Sequence, residues 1–133
     1  MDDRKMDLCI YRMAQAKDSL QVAEWTFAKE LYKDSINRSY YAAFYAIKAV
    51  LAMEEVDFRR HKDVMGYFNK TYVATEKISK DLGRKIGKLQ QVREKSDYDD
   101  FYLASKEIAK RQVDTAKQVI EEVEMFLNKR GIA

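Results

Sequence analysis

Proline is absent from this sequence, glycine occurs four times, and cysteine and histidine occur once each. With both common helix breakers scarce in a chain rich in Ala, Lys, Glu, Leu and Met, helix is favoured throughout and no strand pattern emerges. The lone Cys9 excludes an internal disulfide and a cysteine zinc cage within one chain, which leaves it as a small core residue. There is no Gly-rich phosphate loop, HExxH site, nucleophile elbow or recognisable pair of catalytic carboxylates. Neither a metal nor a cofactor is therefore expected. Long apolar runs are missing as well. The longest, Tyr40 to Ala52, is interrupted by Lys48 and is shorter than the roughly 20 residues a bilayer requires. The start, Met1-Asp2-Asp3-Arg4-Lys5, leads into a mixed amphipathic pattern instead of a secretory block. No membrane association is expected, and the location is predicted to be cytoplasmic.

What the chain does contain fits one globular domain over residues 1–133 with a single sizeable core. It is 47% hydrophobic and 35% charged, too apolar for disorder and too evenly charged for a membrane protein. A net charge of +3 is mildly basic. The isoelectric point near 8.8 lies below the value of about 9 typical of dedicated nucleic-acid domains. Electrostatics permits RNA without demanding it. Basic residues cluster at Arg59-Arg60-His61-Lys62 and at Lys80, Arg84, Lys85 and Lys88, as solvated faces or as a phosphate groove.

Apolar periodicity divides the chain into helices. A first helix from about Met6 to Leu31 carries Leu8, Tyr11, Ala16, Leu20, Ala23, Phe27 and Leu31. After a turn at Lys33-Asp34, capped by Asp34 or Ser35, a second runs to about Glu54 and packs antiparallel to the first. A polar connection, Glu55 to Arg60, leads to a shorter helix over Lys62 to Val73 using Val64, Met65, Phe68 and Tyr72. A fourth spans Ser79 to Lys95, with Leu82, Ile86, Leu89 and Val92 on one face and Gly83 and Gly87 open to close approach or fraying. The run Ser96-Asp97-Tyr98-Asp99-Asp100 reads as a loop or frayed turn. Ser105 then caps a last helix with Ala109, Val113, Ala116, Ile120, Val123 and Leu127 on its stripe and Gly131 as its stop. The fold class is all-α, an up-and-down bundle of four to five helices.

Within the second helix, Ile36, Tyr40, Ala43, Phe44, Ile47, Val50 and Leu51 form a buried stripe, whereas Arg38, Tyr41 and Tyr45 line up on an adjoining face able to hold an anion. Arg38 alternatively snorkels to the rim or pairs with a carboxylate such as Asp97. Arg93 and Asp97, four apart, either make an intrahelical ion pair or grip phosphate. Tyr98, Phe101 and Tyr102 close a core or a dimer interface, or stack on a base.

Three motifs in order, Asn37-Arg38-Ser39-Tyr40-Tyr41-Ala42-Ala43-Phe44-Tyr45, His61-Lys62-Asp63-Val64 and Arg93-Glu94-Lys95-Ser96-Asp97-Tyr98, resemble the HEPN superfamily. More narrowly, the chain is similar to the UPF0332-type HEPN proteins. The resemblance covers almost the whole length and implies a helical bundle, often a homodimer, from operons that also encode a small nucleotidyltransferase, hence a toxin–antitoxin-like or defence pair. It also implies that some relatives are metal-independent ribonucleases, in which an arginine is followed one turn later by a histidine. Here the Asp97-Tyr98 region fills that place, and His61 lies on another predicted helix.

Metal-free RNA cleavage needs a base for the 2′-hydroxyl, charge stabilisation at phosphorus and an acid for the leaving oxygen. If His61 packs beside Arg38 and Arg93 it serves as that base, the two arginines grip phosphate, and Tyr98 or Tyr41 fixes the substrate. Otherwise His61 begins its helix and pairs with Asp97. Two functions follow. One is a binding module that takes nucleotide or RNA phosphate through Arg38, Tyr41, Tyr45, Asp97 and Tyr98 and acts with a nucleotidyltransferase partner. The other is a ribonuclease with His61 and Arg93 as catalytic residues. A purely structural bundle is the third alternative.

Overall fold

The computed structural model describes residues 3–131 and contains five α-helices: α1 (Asp3–Ala28), α2 (Tyr32–Met53), α3 (His61–Phe68), α4 (Lys80–Tyr98) and α5 (Lys106–Lys129). One π-helical turn, Asn69–Val73, prolongs α3. Among the described residues there is no strand, and no helix is long and apolar enough to cross a membrane. The all-α bundle anticipated from periodicity is the fold.

α2 is the axis of the molecule and packs against α1, α3, α4 and α5. Its stripe from Ile36 to Leu51 is buried as the spacing requires. The remaining sides are lined by small residues, Ser35, Ser39, Ala42, Ala46 and Ala49, all fully buried, so neighbouring helices come in close on several faces. Ser35 does not cap its helix. α2 starts earlier, with Leu31 at its N-cap and no side-chain cap bond, and Ser35 instead donates its hydroxyl to the Ala23 carbonyl at 2.8 Å, tying α2 to α1.

The face of α1 departs from expectation. Ala16 and Ala23 are buried, but Leu8, Tyr11 and Leu31 are exposed, at 40%, 61% and 46%. The inward stripe is Cys9, Met13, Ala16, Leu20, Ala23 and Phe27. Apolar residues on both sides of this helix made the stripe ambiguous by about one position, and the clamp of α2 and α5 selects the set containing Cys9. Burial raises the Cys9 thiol above its ordinary range, with Arg12 opposing.

Several helices end without glycine. Glu30, Glu55 and Glu76 have φ of 64°, 57° and 61°, in the left-handed region. At the end of α1, Leu31 N–H bonds the Thr26 carbonyl and Glu30 N–H that of Phe27. After α2, Val56 and Glu55 bond Leu51 and Ala52 in the same way. These are Schellman closures with glutamate in the place usually held by glycine. That is how a sequence so poor in breakers still turns. Ser79 and Ser105 accept hydrogen bonds from Leu82 N–H and Ile108 N–H and start α4 and α5. α5 buries the anticipated Ala109, Val113, Ala116, Ile120, Val123 and Leu127 and stops at Gly131, φ 77°.

α4 runs through Tyr98, so the segment read as a loop from Ser96 is helical for three more residues. Ser96 is fully buried, and the Arg93–Asp97 pair spans the last turn, which outweighs the weak helix preference of Ser and Asp. The two glycines of α4 differ. A Cβ on Gly83 would stand 2.5 Å from a Val73 Cγ on the π-turn and 3.3 Å from its Cβ, whereas one on Gly87 would meet nothing. Gly83→Ala is expected to lose about 1–3 kcal/mol to overpacking, and Gly87→Ala to gain up to about 1 kcal/mol from helix propensity. Urea unfolding checks both, and equal effects would refute the close contact.

Candidate functional site

The site gathers where α2, the start of α3 and the last turns of α4 meet. Tyr40 is fully buried on α2, and its neighbour Tyr41 is half-buried at the edge. Arg93 from α4 lies over both, its guanidinium carbon 4.7 Å from the Tyr40 ring centre and 5.4 Å from that of Tyr41. Its side chain is 11% exposed, so its charge has to be answered locally. Nε donates to Asp97 Oδ2 at 3.0 Å and Nη2 to the Tyr41 hydroxyl at 3.1 Å.

Asp97 Oδ2 also accepts from Asn37 Nδ2 at 3.0 Å. Asn37 Oδ1 in turn accepts from Arg38 Nε at 3.1 Å and Nη2 at 2.8 Å, and the Arg38 guanidinium lies 4.9 Å over the Tyr41 ring. A polar chain, Arg38 to Asn37 to Asp97 to Arg93 to Tyr41, thus links α2 and α4. The anticipated contact of Arg38 with Asp97 is not direct, because Asn37 stands between them. Tyr45 packs on Tyr41 and Phe44 at 6.0 and 6.1 Å. Tyr98, 72% exposed, stands 5.7 Å from the Arg93 guanidinium. Phe101 is 98% exposed and does not close the core.

His61 opens α3, as anticipated, but does not pair with Asp97. Its ring lies 4.1 Å from Phe44, and its Nδ1 is 3.2 Å from the Tyr40 hydroxyl. Burial first, then the charges of Arg93 and Lys48, lower its pKa from 6.5. Burial pushes the Tyr40 phenol up to about 12, with Arg93 opposing, so it stays protonated. Among the described residues no other partner stands within hydrogen-bond reach of that buried hydroxyl. It therefore donates to Nδ1, because the reverse assignment would strand a phenolic proton in the core. Neutral His61 then carries its proton on Nε2, which leaves that N–H as its donor on a half-buried ring. Tyr40, read from spacing only as core, and Asn37, quoted only within a motif, are the two members that sequence reasoning gave no role. Adjacency to Arg38 was the one signal for Asn37.

Among the described residues no group of three His, Cys, Asp or Glu side chains is arranged to hold a metal ion. Arg38 and His61 both border Tyr41, and each carries N–H donors of the kind an anion accepts.

The protein is thus an all-helical bundle in which Arg-Tyr-Tyr on the central helix meets Arg-Asp-Tyr on a later one. The HEPN domain model matches residues 11–126, and the chain belongs to that family. A UPF0332 protein of Thermotoga maritima is 26% identical over 125 residues, 94% of this chain and 95% of the relative. Two proteins of Methanocaldococcus jannaschii, each named a "putative toxin", are 30% and 31% identical, covering 86% of this chain and 74% and 79% of their own lengths.

The lowered pKa of His61 has a definite sign for stability. Between the ordinary value near 6.5 and the lower value in the fold, the unfolded chain binds the proton more readily. The neutral-histidine contribution is therefore present above about pH 6.5 and lost as pH falls through that window. NMR titration should place the His61 midpoint below 6.5. The thermal midpoint should fall between about pH 7.5 and 5.5 more in wild type than in His61→Gln. A midpoint at or above the ordinary value would refute the packing described.

Proposed function

We propose that this chain is the binding component of a toxin-like HEPN system, a cytoplasmic homodimer that takes the phosphate of RNA or of a nucleotide on the face formed by Arg38, Tyr41 and His61 over Arg93, with Tyr45, Asp97 and Tyr98 as its frame, and that acts with a nucleotidyltransferase partner. The toxin character rests on the names of its relatives. The partner and the homodimer rest on the family resemblance.

The observation that carries binding over catalysis is the Tyr40–His61 contact. A general base needs a free lone pair, and the Nδ1 lone pair of His61 is occupied by the Tyr40 hydroxyl while Nε2 holds the proton. The place one turn beyond Arg93 is held by Asp97, whose Oδ2 accepts from Arg93 and Asn37 and which has no imidazole to offer. What remains is a set of donors suited to phosphate oxygens.

A second reading, metal-independent RNA cleavage by His61 with Arg93 and Arg38, is favoured by one observation: His61 and Arg93 pack against the same Tyr40–Tyr41 pair. Purified protein incubated with a mixed RNA pool in chelator separates the two. Binding without cleavage is expected, weakened about tenfold or more by Arg38→Ala through loss of a charged hydrogen bond. Cleavage by wild type that disappears in both His61→Ala and Arg93→Ala would overturn the binding reading in favour of the nuclease.

A further inference from the structure

α4 carries a second cationic feature, turned away from Arg93. Between α4 and α5 lies a groove of about 870 Å³. Three of its cations, Lys88, Lys95 and Arg111, have no acidic partner among the described residues. Its other basic residues are already engaged. Arg84 and Lys85 both reach Asp81, and Lys85 Nζ also donates to Gln118 Oε1 at 3.1 Å. The one acid in the lining, Asp114, is paired with Lys110 at 3.2 Å. The groove is therefore cationic in balance, not merely rich in charge.

A second observation points to a ligand. Gln112 is 4% exposed and lines the groove, and its side-chain amide has no hydrogen-bond partner among the described residues. The amide therefore opens onto the groove, where its donor and acceptor are available to a ligand. The groove's apolar lining is confined to Val92, Tyr102 and Ile108. A helix docked in a groove needs apolar anchors every three or four residues, and the α4 stretch from Arg84 to Gln91 lines the groove with none. Free cations with amide edges suit instead a phosphodiester backbone and its sugars. Lys95 also borders the shallow depression that contains Arg93 and Tyr98, so groove and site share a residue. Glu94 and Asp99 line that depression too, which confines an anion there to the Lys95 and Tyr98 side.

We propose that the α4–α5 groove binds the backbone of single-stranded RNA and delivers it past Lys95 to the Arg93 face. The proposal rests on the phosphate-binding reading above and narrows it from any phosphate to a strand. From Arg84 to Lys95 the groove follows α4 for about 16 Å, long enough for several phosphates and too long for one nucleotide alone.

The test is fluorescence anisotropy of a short labelled oligouridine in chelator, with wild type, Lys88→Glu/Arg111→Glu and Arg38→Ala, each checked for an unchanged thermal midpoint. Both groove positions are exposed, so folding should survive. The groove variant should bind at least about tenfold more weakly near 0.1 M salt, with a log–log salt slope shallower by about 1.4 for two lost phosphate contacts. Wild-type affinity and slope in that variant, with loss only in Arg38→Ala, would overturn the groove and leave the phosphate site standing. Loss in the groove variant alone would support the groove and defeat the Arg38 face. Polyglutamate competing as well as RNA would assign the groove to an acidic polypeptide and overturn the proposal.

Discussion

The guanidinium of Arg93, laid flat against two tyrosines and nearly removed from water, is the constraint to which the rest of the site answers. A charge in that position is tolerated only with its donors matched, since leaving it unpaired would cost several kcal/mol. Asp97 and the Tyr41 hydroxyl do the matching. Asp97 can reach Nε only if α4 remains helical for another turn, and it does so to Tyr98. Asp97 in turn orients Asn37, and Asn37 turns Arg38 over Tyr41. The same positive charge helps to hold the nearby imidazole neutral. One ion pair thus sets the end of a helix and the direction of a second arginine, and adds to the burial that lowers the pKa of the only histidine.

Periodicity made most of the core legible. α2 and α5 have one dominant apolar stripe each, and those stripes are buried residue for residue. α1 was misjudged because it carries apolar side chains around much of its circumference. Leu8, Tyr11 and Leu31 satisfy a helical period as well as Cys9 and Met13 do, and only the positions of α2 and α5 choose between them. The helix ends were obscured for a different reason. Glutamate in the left-handed conformation at positions 30, 55 and 76 carries no compositional signal, since it is ordinarily a helix former. Ser35 resembles a cap by type and place, but a hydroxyl also satisfies itself on a carbonyl of the helix beside it.

In the site, the sequence showed the members better than their connections. Arg38, Tyr41, Tyr45, His61, Arg93, Asp97 and Tyr98 all lie in or around one cluster. The intrahelical pair of Arg93 and Asp97 was readable because a separation of four fixes it. Contacts between helices were not, because they depend on how far each helix is rotated about its axis. Arg38 and His61 were each offered Asp97 as partner. Asp97 Oδ2 instead accepts from Arg93 and Asn37. Tyr40 was assigned to the core on spacing, correctly for its ring. Its hydroxyl, which spacing cannot see, is the group that governs His61.

That hydroxyl carries the functional argument furthest. In a chain with one histidine, the direction of one hydrogen bond decides whether the imidazole offers a lone pair or a proton. A phenol at the rim could serve in either direction, since water would accept its hydrogen. Tyr40 has no water-facing surface, and its pKa is raised by that burial, so its proton has only Nδ1 to go to. The burial that makes Tyr40 a core residue thereby converts His61 into a donor. Such a donor suits a phosphate oxygen, and in this tautomer it has no free lone pair for the proton of a ribose hydroxyl. Catalysis by this imidazole would first require Tyr40 to release it, and the packing of Tyr40 between Phe44, His61 and Arg93 opposes that motion.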